Sequence, residues 1–269
     1  MHWEKELNVA REAAFKAGSK LKPLLGRVLE VRKKGEIDLV TEADFLAEKA
    51  IIDTIRRHFP RDSILSEEMG EYKALPERLW IIDPLDGTTN LAHALPFYAV
   101  CIGLQVDGHL VLGLVLNPIM DEHFEALDGG GAFLNGAPIH VSRVSTLVES
   151  LVATGFPYSV HEDARTIIQR LHQVLVRAQG VRRLGSAALE LCYLGAGRFD
   201  AYWEEGLNPW DTAAATVIVK EAGGRLTDYD GNPFSPYLRT VVATNALVHE
   251  AILEALQLKN SRQNKISRK

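Results

Sequence analysis

The chain has 269 residues, 46% hydrophobic and 24% charged, an ordinary globular composition that can bury a large core in one large domain or two modest ones. A formal net charge of -5 gives no global attraction to nucleic acid or to an anionic membrane surface. No apolar run is long enough to span a bilayer, and the opening stretch MHWEKELNVAREAAFKAG is charged throughout and does not read as a signal peptide, so a cytoplasmic location is expected.

In chain order, residues 3–25 read as an amphipathic helix with Trp3, Leu7, Ala10, Ala14, Ala17 and Leu21 on one stripe. The segment EIDLVTEADFLAEKAIIDTIRRHF starts extended and turns helical, with Thr41 as N-cap, Asp44 at N3 and Pro60 ending it. DSILSEE is a short strand, and LWII is a buried strand that Pro84 should stop. AVCIGLQVDGHLVLGLVLNP reads as a hairpin turning at Asp107-Gly108, followed by short strands and a tight turn at Asn135-Gly136.

The second half alternates differently. SLVATG is a strand, 161–178 a helix, VRRLG a strand, SAALELCYLGAG a helix and RFDAYWE a strand. WDTAAATVIVKEAGG is a helix closed by Gly223-Gly224, RTVVATN is a strand, and 246–257 is the last helix. The pattern divides the chain into an N-terminal α+β half (1–145), a C-terminal α/β half (146–258) and a basic tail (259–269) expected to fray. Cys101 and Cys192 both lie in apolar segments and are expected to be buried reduced thiols.

The segment WIIDPLDGTTN raises the chemical question, because it places Asp83 and Asp86 directly after a buried strand. A strand's C-terminal end is a common ligand position, Gly87 permits close backbone approach, and Thr88-Thr89 begin a turn or short helix with amides to offer. Acceptors for a cation and donors for an anion thus lie a few residues apart, which suits magnesium with a phosphate; an Asx-turn ending a strand fits the same residues. Other acids punctuate apolar elements too: Glu67 and Glu68 in SEE, Asp211 in PWD, and Asp38 and Asp44 in EIDLVTEAD. Taken singly, Asp211 reads as a first-turn acid, Asp44 as a capping box and Glu67 as a loop acid. If they converge, two unit charges 4 Å apart repel by about 4 kcal/mol at an effective dielectric near 20, which bound cations would relieve.

These residues resemble the inositol monophosphatase family, lithium-sensitive, magnesium-dependent phosphatases related to fructose-1,6-bisphosphatase. WIIDPLDGTTN and WDTAAATVIVKEAGG carry the likeness, with SEE, DLVTEAD, GGGAFLNGAPIHVS, TGFP and RRLGSAALELCYLGAGRFDAYWE in the same order, over roughly 5–258. The resemblance implies a layered α-β-α-β-α sandwich. It implies Glu67, Asp83 and the Leu85 carbonyl for one Mg2+, Asp83, Asp86 and Asp211 for a second, and a weaker third ion at Glu67, which Asp44 reaches through water. Asp44 and Thr88 would orient and deprotonate the attacking water. The Gly87 and Thr88 amides would receive the phosphate, and Ser186 and Glu204 would contact the alcohol, beside the metal-side acids Asp86 and Asp211. Lys33 or Lys34 falls in the family's catalytic loop, and Asn208 near the substrate rim.

The activity so implied is hydrolysis of inositol monophosphate without a covalent nucleophile, inhibited by Li+, in a homodimer acting on a small phosphate ester. No nucleophile elbow is present in TGFPYS or RLGSAA, and His58, His93, His123 and His140 read as scattered surface or core residues. Leu91 and Ser66 depart from the family pattern at packing positions. Broader sugar or polyol phosphatase activity, on fructose-1,6-bisphosphate, a nucleotide 3'-phosphate or histidinol phosphate, is the nearest alternative. A regulatory protein associated with RNA and transcription is the alternative from another class.

Overall fold

Small residues decide how closely the helices approach the sheets. The computed structural model describes residues 2–27, 31–33, 39–72 and 75–258. Its first half runs α1 (Glu4–Leu21), β1 (Val31–Lys33), β2 (Leu39–Thr41), α2 (Glu42–His58), β3 (Asp62–Ser66), β4 (Gly70–Tyr72), β5 (Leu75–Asp86), α3 (Thr88–Ala92), β6 (Ala99–Val106), β7 (His109–Asn117), β8 (Glu122–Leu127), β9 (Gly131–Leu134) and β10 (Ala137–Ile139). The second half runs β11 (Leu151–Thr154), α4 (Ala164–Leu175), β12 (Gly180–Arg182), α5 (Ala187–Gly195), β13 (Ala201–Glu205), α6 (Pro209–Glu221), β14 (Arg225–Thr227), β15 (Thr240–Thr244) and α7 (His249–Leu256).

An eight-stranded sheet has the order β10-β9-β8-β7-β6-β5-β3-β4, antiparallel except for the β3–β5 pair. A five-stranded mixed sheet has the order β12-β11-β13-β15-β14. Helices α1 and α2 cover the outer face of the large sheet, α5 and α6 fill the space between the sheets, and α4 and α7 cover the outer face of the small one. The result is the expected α-β-α-β-α sandwich. Side chains alternate across the strands: Ile102 and Leu104 of β6 join the α1–α2 core, while Cys101 joins the middle one. Strands buried on both faces explain the unbroken apolar runs in the sequence.

The capping box read at Thr41 forms, and Asp211, read as a first-turn acid, closes a second one with Asn208. Thr41 accepts from Ala43 N while Asp44 accepts from Thr41 N, and Asp211 accepts from Asn208 N at the start of α6. The helix expected over 161–178 is shorter, because Asp163 caps it through Thr166 N.

One expectation changes form at Pro84. The strand does not stop there: β5 continues to Asp86, and its register against β6 jumps from Asp83↔Cys101 to Asp86↔Ala99. An extra residue is accommodated as a bulge, where proline's missing N–H breaks no ladder bond. The bulge leaves Leu85 N to donate to Asp83 Oδ1 at 2.9 Å.

Gly103 and Gly113 face each other across β6 and β7 and let α6 descend onto the sheet. A Cβ at Gly113 would lie 2.0 Å from the Ala214 carbonyl oxygen, and one at Gly103 would lie 3.3 Å from Ala213 Cβ. This contact sets the position of Asp211, two residues upstream on α6.

Cys101 and Cys192 are free and buried, and burial raises both thiol pKa values. A histidine not singled out in the sequence, His249, is fully buried between Thr227 Oγ1 (3.0 Å from Nε2) and Thr244 Oγ1 (2.9 Å from Nδ1). Burial lowers its pKa to about 4. Between its ordinary value and this one, the unfolded chain takes a proton that the folded chain refuses, so the ring's contribution to stability falls as pH drops. Urea unfolding of wild type and His249→Gln at pH 7 and pH 5 should show the wild-type advantage narrowing at the lower pH; a constant gap would exclude a buried neutral ring.

Candidate active site

The β5 bulge aims two carboxylates at one place. Asp83 is buried, and its pKa is pushed well above the usual range, by burial first and then by the charges of Glu67, Asp86 and Asp211. Asp86 accepts from Ser186 Oγ (2.6 Å) and Ala188 N (2.8 Å); burial pushes its pKa to about 6 against those hydrogen bonds and the pull of Arg183. Asp211, in the first turn of α6, is raised well above normal by burial, held down by the Asn208 amide, and raised again by Asp86, Glu67 and Glu204. Glu67 follows β3, which runs parallel to β5, so both strands deliver acids from the same end.

Asp44 and Thr88 meet as expected. Thr88 Oγ1 is 3.0 Å from Asp44 Oδ1 and 3.1 Å from the Leu85 carbonyl, so its one hydrogen can serve either acceptor. Asp44 Oδ2 accepts from Thr41 N and Thr41 Oγ1, both at 2.7 Å. Burial raises the Asp44 pKa and these hydrogen bonds restrain the rise. Gly87, with φ 98°, turns the chain between Asp86 and Thr88, a left-handed conformation that a side chain would strain.

From the other half come Ser186, the N-cap of α5, and Glu204 on β13. Glu204 is buried, takes a hydrogen bond from the Tyr202 hydroxyl, and packs against Gly155, where a Cβ would clash. Burial pushes its pKa to about 7, against the hydrogen bond from Tyr202 and with the added push of the Asp86 charge. Asn208 lies at the α6 N-cap, close to this rim. Lys34 and Asp38 lie outside the described residues, and of Lys33 only the β1 backbone is described.

The sequence reading did not single out Asn90, Tyr202 or Glu190. Glu190 is 1% exposed, and its Oε1 accepts from Leu184 N at 2.7 Å. Its signal was available: a carboxylate between Leu189 and Leu191 on an otherwise apolar helix. His123 is half-buried, while His58, His93 and His140 are exposed; the ion pairs of His58 and His123 go to Glu12 and Glu125, away from the site acids. A separate cavity of about 270 Å3, lined by Phe15, Leu116 and His123 among others, includes no candidate site residue.

Among the described residues, no three His, Cys, Asp or Glu side chains are drawn together as a finished metal cluster. The donor set nevertheless fits a hard cation. The charges of Glu67, Asp86 and Asp211 disfavour ionisation of Asp83, and those of Asp86 and Glu67 do the same to Asp211; oxygen donors of that kind suit Mg2+.

The family model for the inositol monophosphatase family matches residues 2–261. The chain belongs to this family. A relative from Synechocystis sp. named inositol-1-monophosphatase is 42% identical over 93% of this chain and 88% of its own length. One from Escherichia coli K12 named Nus factor SuhB is 40% identical over 92% of this chain and 94% of its own. The crystal structure of extragenic suppressor protein suhB from Bartonella henselae superimposes with a TM-score of 0.91 at 39% identity, covering 95% of this chain and 100% of that one. The relatives named inositol-1-monophosphatase support a phosphatase.

Because Asp83 has a raised folded-state pKa, its ionisation costs stability increasingly as pH rises above the ordinary carboxylate range. In EDTA at pH 8, Asp83→Asn should therefore melt above wild type, by about 2–4 °C for each ~1 kcal/mol of relief in a chain of this size. The gap should narrow toward pH 5. Equal or lower melting of the variant at pH 8 would mean that the acids do not strain the fold.

Proposed function

We propose that this chain is a Mg2+-dependent phosphomonoesterase that hydrolyses inositol monophosphate to myo-inositol and phosphate. The observation that carries the reading is the set Glu67, Asp83, Asp86 and Asp211, in which neighbouring acid charges push up the pKa values of Asp83 and Asp211 where two strands end and a helix begins. The family is generally metal-dependent. Glu67, Asp83, the Leu85 carbonyl, Asp86 and Asp211 hold two Mg2+ ions, with a third at Glu67. Bound Mg2+ supplies Lewis acidity that neutralises phosphate charge and acidifies water.

The protein's own groups do the rest. Asp44 Oδ1 takes the proton of the attacking water, which Thr88 Oγ1 helps orient; the raised pKa of Asp44 suits a base working nearer neutrality. The Gly87 and Thr88 amides hold the phosphate. Ser186 and Glu204, with Asp86 and Asp211 behind them, receive the alcohol. Residues 1–145 thus supply the metal side apart from Asp211, and 146–258 supply Asp211 and the alcohol side. The enzyme acts in the cytoplasm as a homodimer, and Li+ inhibits it by replacing one Mg2+.

A second reading rests on the relative named Nus factor SuhB, which shares 40% identity with this chain. It would make the chain a regulatory protein that retains the fold. The complete acid set favours catalysis, alone or beside such a role.

The test is phosphate release from inositol 1-phosphate, fructose-1,6-bisphosphate, 3'-phosphoadenosine 5'-phosphate and histidinol phosphate, with and without Mg2+. A Mg2+-dependent preference for the inositol ester is expected, inhibited by tens of millimolar Li+. Asp211→Asn should lower kcat by at least about 100-fold with its circular dichroism unchanged, since loss of a ligand costs no less than loss of its supporting shell. No release from any ester by folded protein would move the reading to the regulatory role.

A further inference from the structure

We propose that Asn90 and Glu190 clamp the Leu184–Gly185 turn from opposite sides and thereby position Asp86 for cation binding. The inference rests on the reading of Asp86 as a metal ligand and adds two residues that act through it.

Asn90 lies on α3, just after the Gly87 bend, and is buried. Its Nδ2 donates to the Phe97 carbonyl at 2.6 Å and to the Leu184 carbonyl at 2.8 Å, which uses both amide hydrogens. From the other side, Glu190 Oε1 accepts from Leu184 N at 2.7 Å. Both main-chain polar groups of Leu184 are thus held by side chains, one from each half of the molecule. The next residue, Gly185, has φ 89°, and a Cβ there would lie 2.9 Å from Arg183 Nη1 and 3.1 Å from Asn90 Nδ2. The turn has no room to relax toward Asn90. A Cβ at Gly87 would in turn lie 3.2 Å from the Gly185 carbonyl oxygen, so the bend beside Asp86 and the clamped turn pack against each other.

What the turn delivers is the start of α5. Ser186 Oγ and Ala188 N both donate to Asp86 Oδ2. The Ala187 amide adds a further bond to Asp86, so the start of α5 fixes the angle of this carboxylate. Moving the turn moves both donors at once.

Stability alone does not account for Glu190. Its Oε2 is buried without a hydrogen-bond partner, on a helix whose Leu189, Leu191 and Cys192 are buried around it. An unsatisfied buried carboxyl oxygen carries a desolvation cost that an apolar side chain there would avoid. What an apolar residue cannot do is accept from Leu184 N.

Groups that support a ligand in this way are worth about 10–100-fold in metal affinity. Mg2+ binding by calorimetry, phosphate release and thermal melting would be measured on the full chain for wild type, Glu190→Gln, Glu190→Leu, Asn90→Ala and the Asn90→Ala/Glu190→Leu double variant. Gln retains the acceptor and should bind Mg2+ within about threefold of wild type. Leu should weaken Mg2+ binding about 10–100-fold while melting at or above wild type. Asn90→Ala should weaken it comparably. The double variant should be no weaker than the worse single one, because both act on one turn.

Wild-type Mg2+ affinity in Glu190→Leu, equal losses for Gln and Leu, or effects that multiply in the double variant would each overturn the clamp. If Glu190→Leu does not fold, Asn90→Ala carries the test alone, and unchanged Mg2+ binding there overturns it. A wild type that binds Mg2+ but releases no phosphate would sink the proposed activity and leave the clamp standing. A wild type that binds no Mg2+ would sink both.

Discussion

Burying several like charges in one place is the constraint on which the rest of the molecule depends. The acids end apolar elements, and those elements cannot shift without unpacking a core. Each is also tied by a main-chain amide: Asp83 by Leu85, Asp86 by Ala188, Asp211 by Asn208 and Asp44 by Thr41. An amide donor partly offsets the desolvation of a carboxylate and fixes one oxygen, leaving the other for a ligand. The fold therefore holds these groups where repulsion alone would scatter them.

That arrangement divides the work between the halves. The N-terminal side brings Glu67, Asp83, Asp86, Asp44 and Thr88, and the C-terminal side brings Asp211, Ser186 and Glu204. Polar bonds cross between them at many points, among them Ser186 to Asp86, Asn90 to Leu184, Tyr193 to Glu122 and Gly131 to Glu221.

Much of this was legible in the sequence, and the reason differs by residue. Thr41 with Asp44 was readable because a capping box is local, and Asp211 was placed at a helix start for the same reason. The bulge at Pro84 was not readable, because register is a property of the pair and half of it lies in β6. The order of the five layers came from family resemblance; hydrophobic periodicity gave the elements but not which faces meet. Glu190 was visible as an anomaly, yet its partner, the Leu184 amide, is a backbone group with no sequence signature. Glu204 was expected at the alcohol side, but its lock to Tyr202 depends on the β13 backbone and the space left at Gly155.

The Gly103–Gly113 pair has a wider consequence. Where α6 crosses β6 and β7, the spacing between layers is set by main chain against main chain, since no side chain intervenes at Gly113. Substitutions elsewhere in the core can change side-chain volume without changing this distance. The separation of Asp211 from the β5 acids is thereby insulated from ordinary sequence drift. The Asn208 side chain at the rim lies outside this contact, so a lineage built on this scaffold can change what it recognises there while its buried charges keep their geometry.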